Sequence, residues 1–289
     1  MEQEYLVNTI QRLLDKGGPD HDDFDAVMSF VDQIKPEEVE AFQNAMTPIL
    51  NPSTLIGLSF TKPFGYNGDF FIIEKIYQKY ANPDPRYTKW DAFIHRLPVA
   101  IAVVNRKKLA IEILTALNTR ANGEKRSVLI LGSGPVTEVN EYLLQTPGNT
   151  LIFDMVDLDQ RAIDYAKAKN RNFLPFMRFI NRNVIRFVPD NSYDLIWSAG
   201  LFDYFKDKHF VYLIKKFYEH INPGGEMIIG NFGVQNPSRK IMEILADWYL
   251  YHRSEEELID FAGQAGVAQS NIEIIKEPLG INLFLKTKK

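Results

Sequence analysis

The stretch Ser127-Val128-Leu129-Ile130-Leu131-Gly132-Ser133-Gly134-Pro135 is an apolar run of strand length that ends in a glycine-containing turn. A helix is predicted directly after it, through Leu144. A strand that turns this sharply into a helix presents backbone N–H groups at the helix N-terminus, where they can bind a negatively charged part of a ligand. The stretch therefore predicts an α/β sheet with a ligand beyond its first strand.

Four more apolar runs follow, separated by segments of helical periodicity. The predicted strands are 151–156, 176–180, 193–198 and 226–230. Continuous apolar runs indicate parallel strands that are covered by helices on both faces. Two short runs near the end of the chain, 272–276 and 282–286, are joined by too few residues for a helical crossover, so one of them should enter the sheet antiparallel. We expect a Rossmann-like sheet of seven strands with an antiparallel last strand.

The first 120 residues are predicted to form helices that proline and glycine interrupt. The predicted helical segments are 4–16, 23–34, one that starts at Pro36, 69–80, and 87–119 with a kink or restart at Pro98, whereas 51–68 is predicted to be a structured loop. Two further helices are predicted after the fifth strand, at 237–251 and 255–264. The expected division is a helical N-terminal domain at 1–120 and a sheet domain at 121–289.

The composition is that of an ordinary globular protein. The 289 residues include 45% hydrophobic residues, no cysteine and a formal charge of −4, which disfavours a nucleic-acid-binding surface and excludes disulfides and thiolate metal sites. The first residues lack the layout of a signal peptide, and the longest apolar run, 97–104, is too short to span a bilayer. We therefore expect a cytoplasmic protein without a membrane span.

An acidic residue ends the second predicted strand and narrows the choice of ligand. Asp157 follows Gly132 by 25 residues, where a carboxylate can accept hydrogen bonds from both ribose hydroxyls of an adenosine-containing ligand. The alternative is an ordinary glycine turn beside a solvated aspartate. A dinucleotide fingerprint requires a third glycine where Thr137 stands. S-adenosyl-L-methionine is therefore favoured over a dinucleotide.

With these motifs, residues 127–287 resemble the class I S-adenosylmethionine-dependent methyltransferases. The matching segments are 128–134, 156–159, 183–184, 194–198 and 222–225. The chain departs from the common pattern at Ile130, where an acidic residue is usual, and at Val136, where glycine is usual. The predicted cofactor-binding residues are Gly132, Ser133, Gly134, Glu138, Asp157, Leu158, Asn183, Val184, Ser198, Ala199 and Gly200.

A narrower resemblance covers most of residues 60–287. The segments 62–70, 105–106, 198–204, Trp248 and 251–253 look like those of the quorum-signal methyltransferases that make 3-hydroxy fatty acid methyl esters. That resemblance implies a helical N-terminal lid over the cofactor domain and transfer of a methyl group to a small acidic metabolite. Carboxyl O-methylation of a hydroxy fatty acid-like substrate is the expected reaction.

A carboxylate substrate determines which residues are candidates for catalysis and for substrate binding. A carboxylate, with a pKa of about 4, is ionised at neutral pH and needs no general base. None of the five histidines is predicted in the loops that follow the strands, and their spacing suits no metal, so no metal is expected. The predicted catalytic residues are Tyr66, Asp203 and Tyr204, and the predicted substrate-binding residues are Asp69, Arg96, Asn231 and Tyr251. Arg96, Arg106 and Arg253 could each pair with a substrate carboxylate by a two-point hydrogen bond. The ordinary alternatives are a helix N-cap for Asp69, turn closure for Asp203 and Tyr204, and a structural salt bridge for each of the three arginines.

Other functions stay open on the sequence alone. The glycine turn is also similar to that of nicotianamine synthases, so a cyclase or aminocarboxypropyl-type transferase that releases methylthioadenosine is the main alternative. A non-catalytic binding module is another alternative. A nucleic-acid methyltransferase is disfavoured by the negative charge and by the lack of an Asn-Pro-Pro-aromatic motif near Ser198. The expected partner is a small-molecule substrate and not a nucleic acid, with monomer or homodimer left open.

Overall fold

The computed structural model describes residues 3–289, which divide into two compact units. The helical unit contains the residues up to Val104 together with Pro237–Tyr249, and the sheet unit contains Asn105–Asn236 and Leu250–Lys289. The first boundary thus lies sixteen residues earlier than the predicted one at 120, and a second segment joins the helical unit from beyond the fifth strand. No helix within residues 3–289 is both long and apolar enough to cross a membrane.

The helical unit begins with helices of which most follow the predicted periodicity. They are α1 (Gln3–Asp15), α2 (Phe24–Gln33), α3 (Val39–Met46), α4 (Leu55–Thr61), α5 (Phe70–Tyr77), α6 (Thr88–Arg96) and the first residues of α7 (Pro98–Ala121), which belongs to the sheet unit from Asn105 onward. Helix α7 restarts at Pro98, as predicted, since proline is tolerated in a first helical turn. Helix α4 lies inside the predicted loop 51–68, where the Thr54 hydroxyl caps it by accepting from Gly57 N. A helix of seven residues is too short to be detected from the periodicity of its apolar residues.

The sheet unit contains seven strands, and the remaining helices connect them. The elements are β1 (Arg126–Leu131), α8 (Thr137–Gln145), β2 (Leu151–Asp157), α9 (Gln160–Lys169), β3 (Met177–Asn181), β4 (Tyr193–Ser198), α10 (Asp207–Tyr218), β5 (Ile221–Phe232), α11 (Arg239–Leu245), α12 (Glu255–Gln264), β6 (Ile272–Lys276) and β7 (Asn282–Lys288). Helix α11 belongs to the helical unit and is shorter than the predicted helix 237–251.

The strand order is β3-β2-β1-β4-β5-β7-β6. Strands β1 to β5 pair in parallel, and β7 is antiparallel to both β5 and β6. This confirms the predicted seven-stranded sheet with an antiparallel last strand. The order reverses between β1 and β4, and ligands of open α/β sheets bind beyond the carboxyl ends of the strands at such a point.

Alternate residues of the central strands enter two different apolar clusters. Val128 and Ile130 of β1 belong to a cluster that includes residues of α7 and α8. Leu129 and Leu131 belong to a second cluster that includes residues of α10 and α12. Since successive side chains of a strand point to opposite faces, helices cover both faces of the sheet. Burial on both faces of the sheet explains the continuous apolar pattern of Ser127–Leu131.

Candidate functional site

The turn after β1 adopts a backbone conformation that favours glycine. Gly132 has φ 64°, Gly134 has φ 53° and Val136 has φ 56°. A β-branched residue in this region is strained. Val136 is 1% exposed and lies in the apolar cluster beside α8, so packing holds it there. Val136, which stands where glycine is usual, thus has the positive φ that glycine adopts without strain.

Asp157 joins this turn to the end of β2. Its Oδ2 accepts from Gly134 N at 2.8 Å and its Oδ1 accepts from Asp159 N at 2.9 Å. Burial raises the pKa of Asp157, while these backbone N–H groups lower it. A carboxylate has about four acceptor positions, so two backbone bonds leave others for hydroxyl groups of a ligand. The side chain lies where the sequence predicted it, and it also holds the two loops together.

The turn has the features that a nucleoside with an amino-acid tail requires. The Ser133 hydroxyl is buried and has no hydrogen-bond partner within residues 3–289. A Cβ built on Gly134 would meet no atom within 4 Å, so space is open beside that backbone. An unsatisfied hydroxyl and an accessible backbone lie within two residues of the Asp157 contact. These residues fit S-adenosyl-L-methionine, with Asp157 for the ribose and the turn for the polar tail.

The loops after β2 and β3 supply an apolar surface next to Asp157. Leu158 is 65% exposed, which is unusual for a large aliphatic side chain. Asn181 Nδ2 donates to the Leu158 carbonyl at 2.9 Å and connects the two loops. Asn183 Oδ1 accepts from Ile185 N, and Val184 is buried. Leu158 therefore offers a surface for a flat base, whereas Asn183 and Val184 shape the loop.

The end of β4 brings polar residues to the same edge of the sheet. The Ser198 hydroxyl is buried and donates to the Leu131 carbonyl at 2.9 Å, so it joins the ends of β4 and β1. Ala199 and Gly200 are half-buried. Glu138, in the first turn of α8, is buried, and burial raises its pKa. Ser198 is thus used within the chain, whereas Gly200 lies beside the turn.

Asp203 lies in a buried network of polar groups. It is 1% exposed, its Oδ1 accepts from Phe232 N at 2.7 Å, and its carbonyl accepts from Tyr251 N at 2.9 Å. Asn231 is fully buried and donates both Nδ2 hydrogens to carbonyls, those of Phe232 and Tyr251. The structure therefore gives Asn231, a predicted substrate-binding residue, a structural role. Tyr251 is 43% exposed and Tyr204 is half-buried, so their rings remain accessible.

We expect Asp203 to make stability depend on pH. Burial raises the pKa of Asp203 to about 6, opposed by the Phe232 N–H and the positive charges of Arg106 and Arg253. The pKa is therefore higher in the folded chain than in the unfolded chain, so stability is lost as the pH rises from about 4 through 6, by about 3 kcal/mol. Asp203→Asn keeps the acceptor for Phe232 N but does not titrate.

Chemical denaturation at pH 4 to 7 checks this expectation. The free energy of unfolding of the wild type should fall relative to that of Asp203→Asn by about 3 kcal/mol over that range. A difference between the two proteins that stays constant with pH would contradict the assignment.

The remaining predicted residues lie in the helical unit. Tyr66 is 38% exposed in the loop before α5. Asp69 is 2% exposed and caps α5 by accepting from Phe71 N and Ile72 N, which is the ordinary alternative that the sequence offered. Arg96 donates to the His21 carbonyl at 2.6 Å and lies over the Phe24 ring. The side chains of Asp69 and Arg96 are thus used within the helical unit, and Tyr66 stays accessible.

The helical unit also contains an apolar cleft. Its cavity volume is about 40 Å³, and it is partly open to solvent. Ser59 is the one polar lining residue, and the others are aliphatic side chains and a tryptophan, among them Ile56, Ile72, Ile94, Ala100, Val103 and Trp248. A cleft with this lining suits a hydrocarbon chain and not a charged or sugar-like group.

Sequence reasoning did not place two residues that the structure brings to the carboxyl ends of the strands, although it named one of them, Arg106, as a possible partner of a substrate carboxylate. Residues 250–253 return to the end of β5, where Arg253 N donates to the Phe232 carbonyl. This places the His252 ring 6.3 Å from that of Phe232 and its Nε2 3.2 Å from Asn236 Nδ2, although no histidine was expected there. The second is Arg106, which lies against Gly200. The segments 105–106 and 251–253, both singled out by resemblance, were the available signal.

Comparisons with known proteins agree with this geometry. Residues 128–225 match the family model described as "Methyltransferase domain". A possible exported protein from Bordetella parapertussis has a similar structure, with 14% identity, a TM-score of 0.64 and coverage of 76% of this chain and 79% of that chain. Magnesium protoporphyrin IX methyltransferase from Synechocystis PCC 6803 with bound SAH has 11% identity and a TM-score of 0.51, over 66% of this chain and 87% of that one.

The pyocyanin biosynthetic protein PhzM is a third similar structure, with 16% identity and a TM-score of 0.50, over 68% of this chain and 61% of that chain. At these identities the likeness is one of fold. No curated protein sequence matches the chain. The match that bears on activity is therefore the family model, which spans β1, the glycine turn, Asp157 and β4.

Proposed function

Because this enzyme contains a class I S-adenosylmethionine-dependent methyltransferase domain, we propose that it methylates the carboxyl oxygen of a fatty acid-like substrate. The apolar cleft of the helical unit is the observation that carries the proposal. A hydrocarbon chain gains about 0.8 kcal/mol for each methylene that it buries. A cleft in which Ser59 is the one polar lining residue favours such a chain over a polar group. A cytoplasmic location belongs to the same proposal.

Different residues of the chain are proposed to bind the cofactor and to contact the substrate. When bound, S-adenosyl-L-methionine supplies a methyl group carried on a positively charged sulfur. Asp157 and the glycine turn hold and orient the cofactor. The substrate carboxylate is ionised at neutral pH, so the chain provides alignment and exclusion of water and no base. Tyr204, directly after β4, has a half-buried ring and is the proposed contact near the reacting carboxylate, whereas the catalytic role of Tyr66 stays a prediction.

Analysis of the products tests the proposed reaction. Purified enzyme is incubated with S-adenosyl-L-methionine and 3-hydroxy fatty acids of six to eighteen carbons, and the products are separated by liquid chromatography and mass spectrometry. We expect S-adenosylhomocysteine and a methyl ester in equal amounts. Methylthioadenosine in place of S-adenosylhomocysteine would contradict methyl transfer and support the cyclase or aminocarboxypropyl alternative.

Narrowing the cleft should shorten the accepted chain. Ala100 lines the cleft and is 3% exposed, so Ala100→Phe fills part of the volume. Loss of room for three or four methylenes should lower kcat/KM for the longest good substrate about 50- to 200-fold. Shorter acids should keep their kcat/KM. The measurement is kcat/KM across the chain-length series.

Ile101→Phe is the matched control, since Ile101 is the next residue of α7 and is 37% exposed. It should leave the chain-length profile unchanged. An Ala100→Phe enzyme with the wild-type profile would show that the cleft does not bind the substrate chain.

A further inference from the structure

Arg106 is a buried cation that the rest of the chain leaves unsatisfied. It is 6% exposed. Within residues 3–289 its side chain makes no hydrogen bond or ion pair, and its Nε is buried without an acceptor. Taking a guanidinium out of water is costly unless the charge is paired and its donors are bonded. The Nε of Arg253, the other buried arginine, likewise has no acceptor among the described residues, but its two terminal nitrogens have four acceptors, so only Arg106 of these two has a guanidinium without any acceptor.

The position of Arg106 is that of a ligand-binding residue. A Cβ on Gly200 would lie 2.7 Å from its Nη1 and 3.0 Å from its Nη2, so the glycine makes room for the guanidinium just after β4. Its positive charge also acts on Glu138, in the first turn of α8. The guanidinium therefore lies near the carboxyl ends of β1 and β4, where the strand order reverses.

The neighbouring carboxylates do not take the place of the missing partner. Arg106 lowers the pKa of Glu138 and of Asp203, while burial raises both. Neither forms an ion pair with it in the described part of the chain, and Asp203 Oδ1 is bonded to Phe232 N. Glu138 and Asp203 are both buried, so a ligand carboxylate that pairs with the guanidinium does so where water is largely excluded and the attraction between opposite charges is strong.

We propose that Arg106 binds a carboxylate of a small-molecule ligand by a two-point hydrogen bond. The planar guanidinium fork matches a carboxylate in this way. Two sources have the required chemistry: the amino-acid carboxylate of the cofactor and the carboxylate of the acid substrate. The inference rests on the methyl-transfer function proposed above, and its first test needs no substrate.

Calorimetry with two nucleosides tests the cofactor as the source. S-adenosylhomocysteine carries the amino-acid carboxylate, and 5′-methylthioadenosine lacks it. Arg106→Gln should weaken binding of S-adenosylhomocysteine about 10- to 100-fold and leave the affinity for 5′-methylthioadenosine unchanged. Arg106→Lys keeps the charge without the fork and should recover part of the loss. Lys108→Gln removes an exposed charge from the same helix and should behave as wild type.

Binding of the substrate tests the other source. In the presence of saturating S-adenosylhomocysteine, Arg106→Gln should then weaken binding of a 3-hydroxy fatty acid about 10- to 100-fold, and binding of its methyl ester should not change. Gly200→Ala is a second variant that retains the arginine and displaces the guanidinium. It should reproduce whichever loss Arg106→Gln shows, even where removal of the arginine impairs folding.

The result that would overturn this proposal differs from the result that would overturn the proposed function. If S-adenosylhomocysteine binds Arg106→Gln and Gly200→Ala as it binds wild type, and no binding of the acid depends on Arg106, the guanidinium only neutralises Glu138 and Asp203. Formation of methylthioadenosine would refute carboxyl methylation. The affinities for the two nucleosides would still show whether Arg106 binds the carboxylate of the cofactor.

Discussion

Replacing Asp157 with alanine is expected to weaken binding of S-adenosylhomocysteine about 10²- to 10⁴-fold. The carboxylate has two tasks: it accepts from Gly134 N and Asp159 N, and it is the proposed acceptor for the ribose hydroxyls. Alanine removes the ribose contacts and leaves two backbone N–H groups without their partner. Hydrogen bonds to a charged group contribute about 1.5–3 kcal/mol each, and two lost contacts give the stated range. Isothermal titration calorimetry measures the change.

Asp159→Ala is the matched control for this variant. Asp159 lies two residues further on and caps α9 by accepting from Arg161 N, and its own N–H to Asp157 is a backbone group that the substitution keeps. The control should lose about 1 kcal/mol of stability and keep its affinity. An affinity of Asp157→Ala within threefold of wild type would remove Asp157 from the cofactor site. Asp157→Asn separates the tasks, because it keeps one acceptor without the charge.

Replacing Arg253 with alanine is expected to lower the free energy of unfolding by about 3–5 kcal/mol. Arg253 is 2% exposed and donates to the Phe202 and Phe205 carbonyls, to Asn231 Oδ1 at 2.8 Å and to Asp207 Oδ1 at 2.9 Å. Alanine would leave Asn231 Oδ1 buried without this donor, would take one donor from each of the two carbonyls, and would remove the packing of the guanidinium on the Phe210 ring, 4.4 Å away. The sheet unit therefore depends on Arg253 for the order of the segments after β4 and β5.

Denaturant unfolding and thermal melts measure this loss. A decrease of 3–5 kcal/mol corresponds to a fall in Tm of roughly 6–20 °C for a chain of this size. Arg239→Ala is the control: its side chain is 50% exposed and pairs with Glu243 one turn away, so the cost should stay below about 1 kcal/mol. Equal stability of the two variants would show that Arg253 is not structural and would return it to the candidates for substrate binding.

Much of the fold was predictable because its signals are local. The apolar run Ser127–Leu131 and the short connection between the last two strands depend on residues close together in the chain, and both predictions are confirmed. The glycine turn and Asp157 could also be predicted from local signals, since each lies at the end of a predicted strand. Helix α4 was missed because seven residues carry too little periodicity.

The candidate site was less predictable because burial and pairing decide what a polar side chain does. Asn231 follows the apolar run of β5 and looked like a ligand contact, yet both its N–H groups are taken by carbonyls, one of them twenty residues away. His252 was not expected near a strand end, since the return of residues 250–253 to β5 has no local signal. Asp69 could be assigned as a cap from sequence, because its partners are two and three residues further on.

The amino-acid sequence by itself determined the order of the elements, the parallel core with its antiparallel last strand, and the turn and acidic residue that we propose as the cofactor site. Only the tertiary structure decided that residues 237–249 join the helical unit, and that the terminal nitrogens of Arg253 have four acceptors while the Arg106 guanidinium has none within residues 3–289. The physical reason is distance along the chain: periodicity reports which face of an element is apolar, whereas the acceptors of a buried arginine come from loops that only folding brings together.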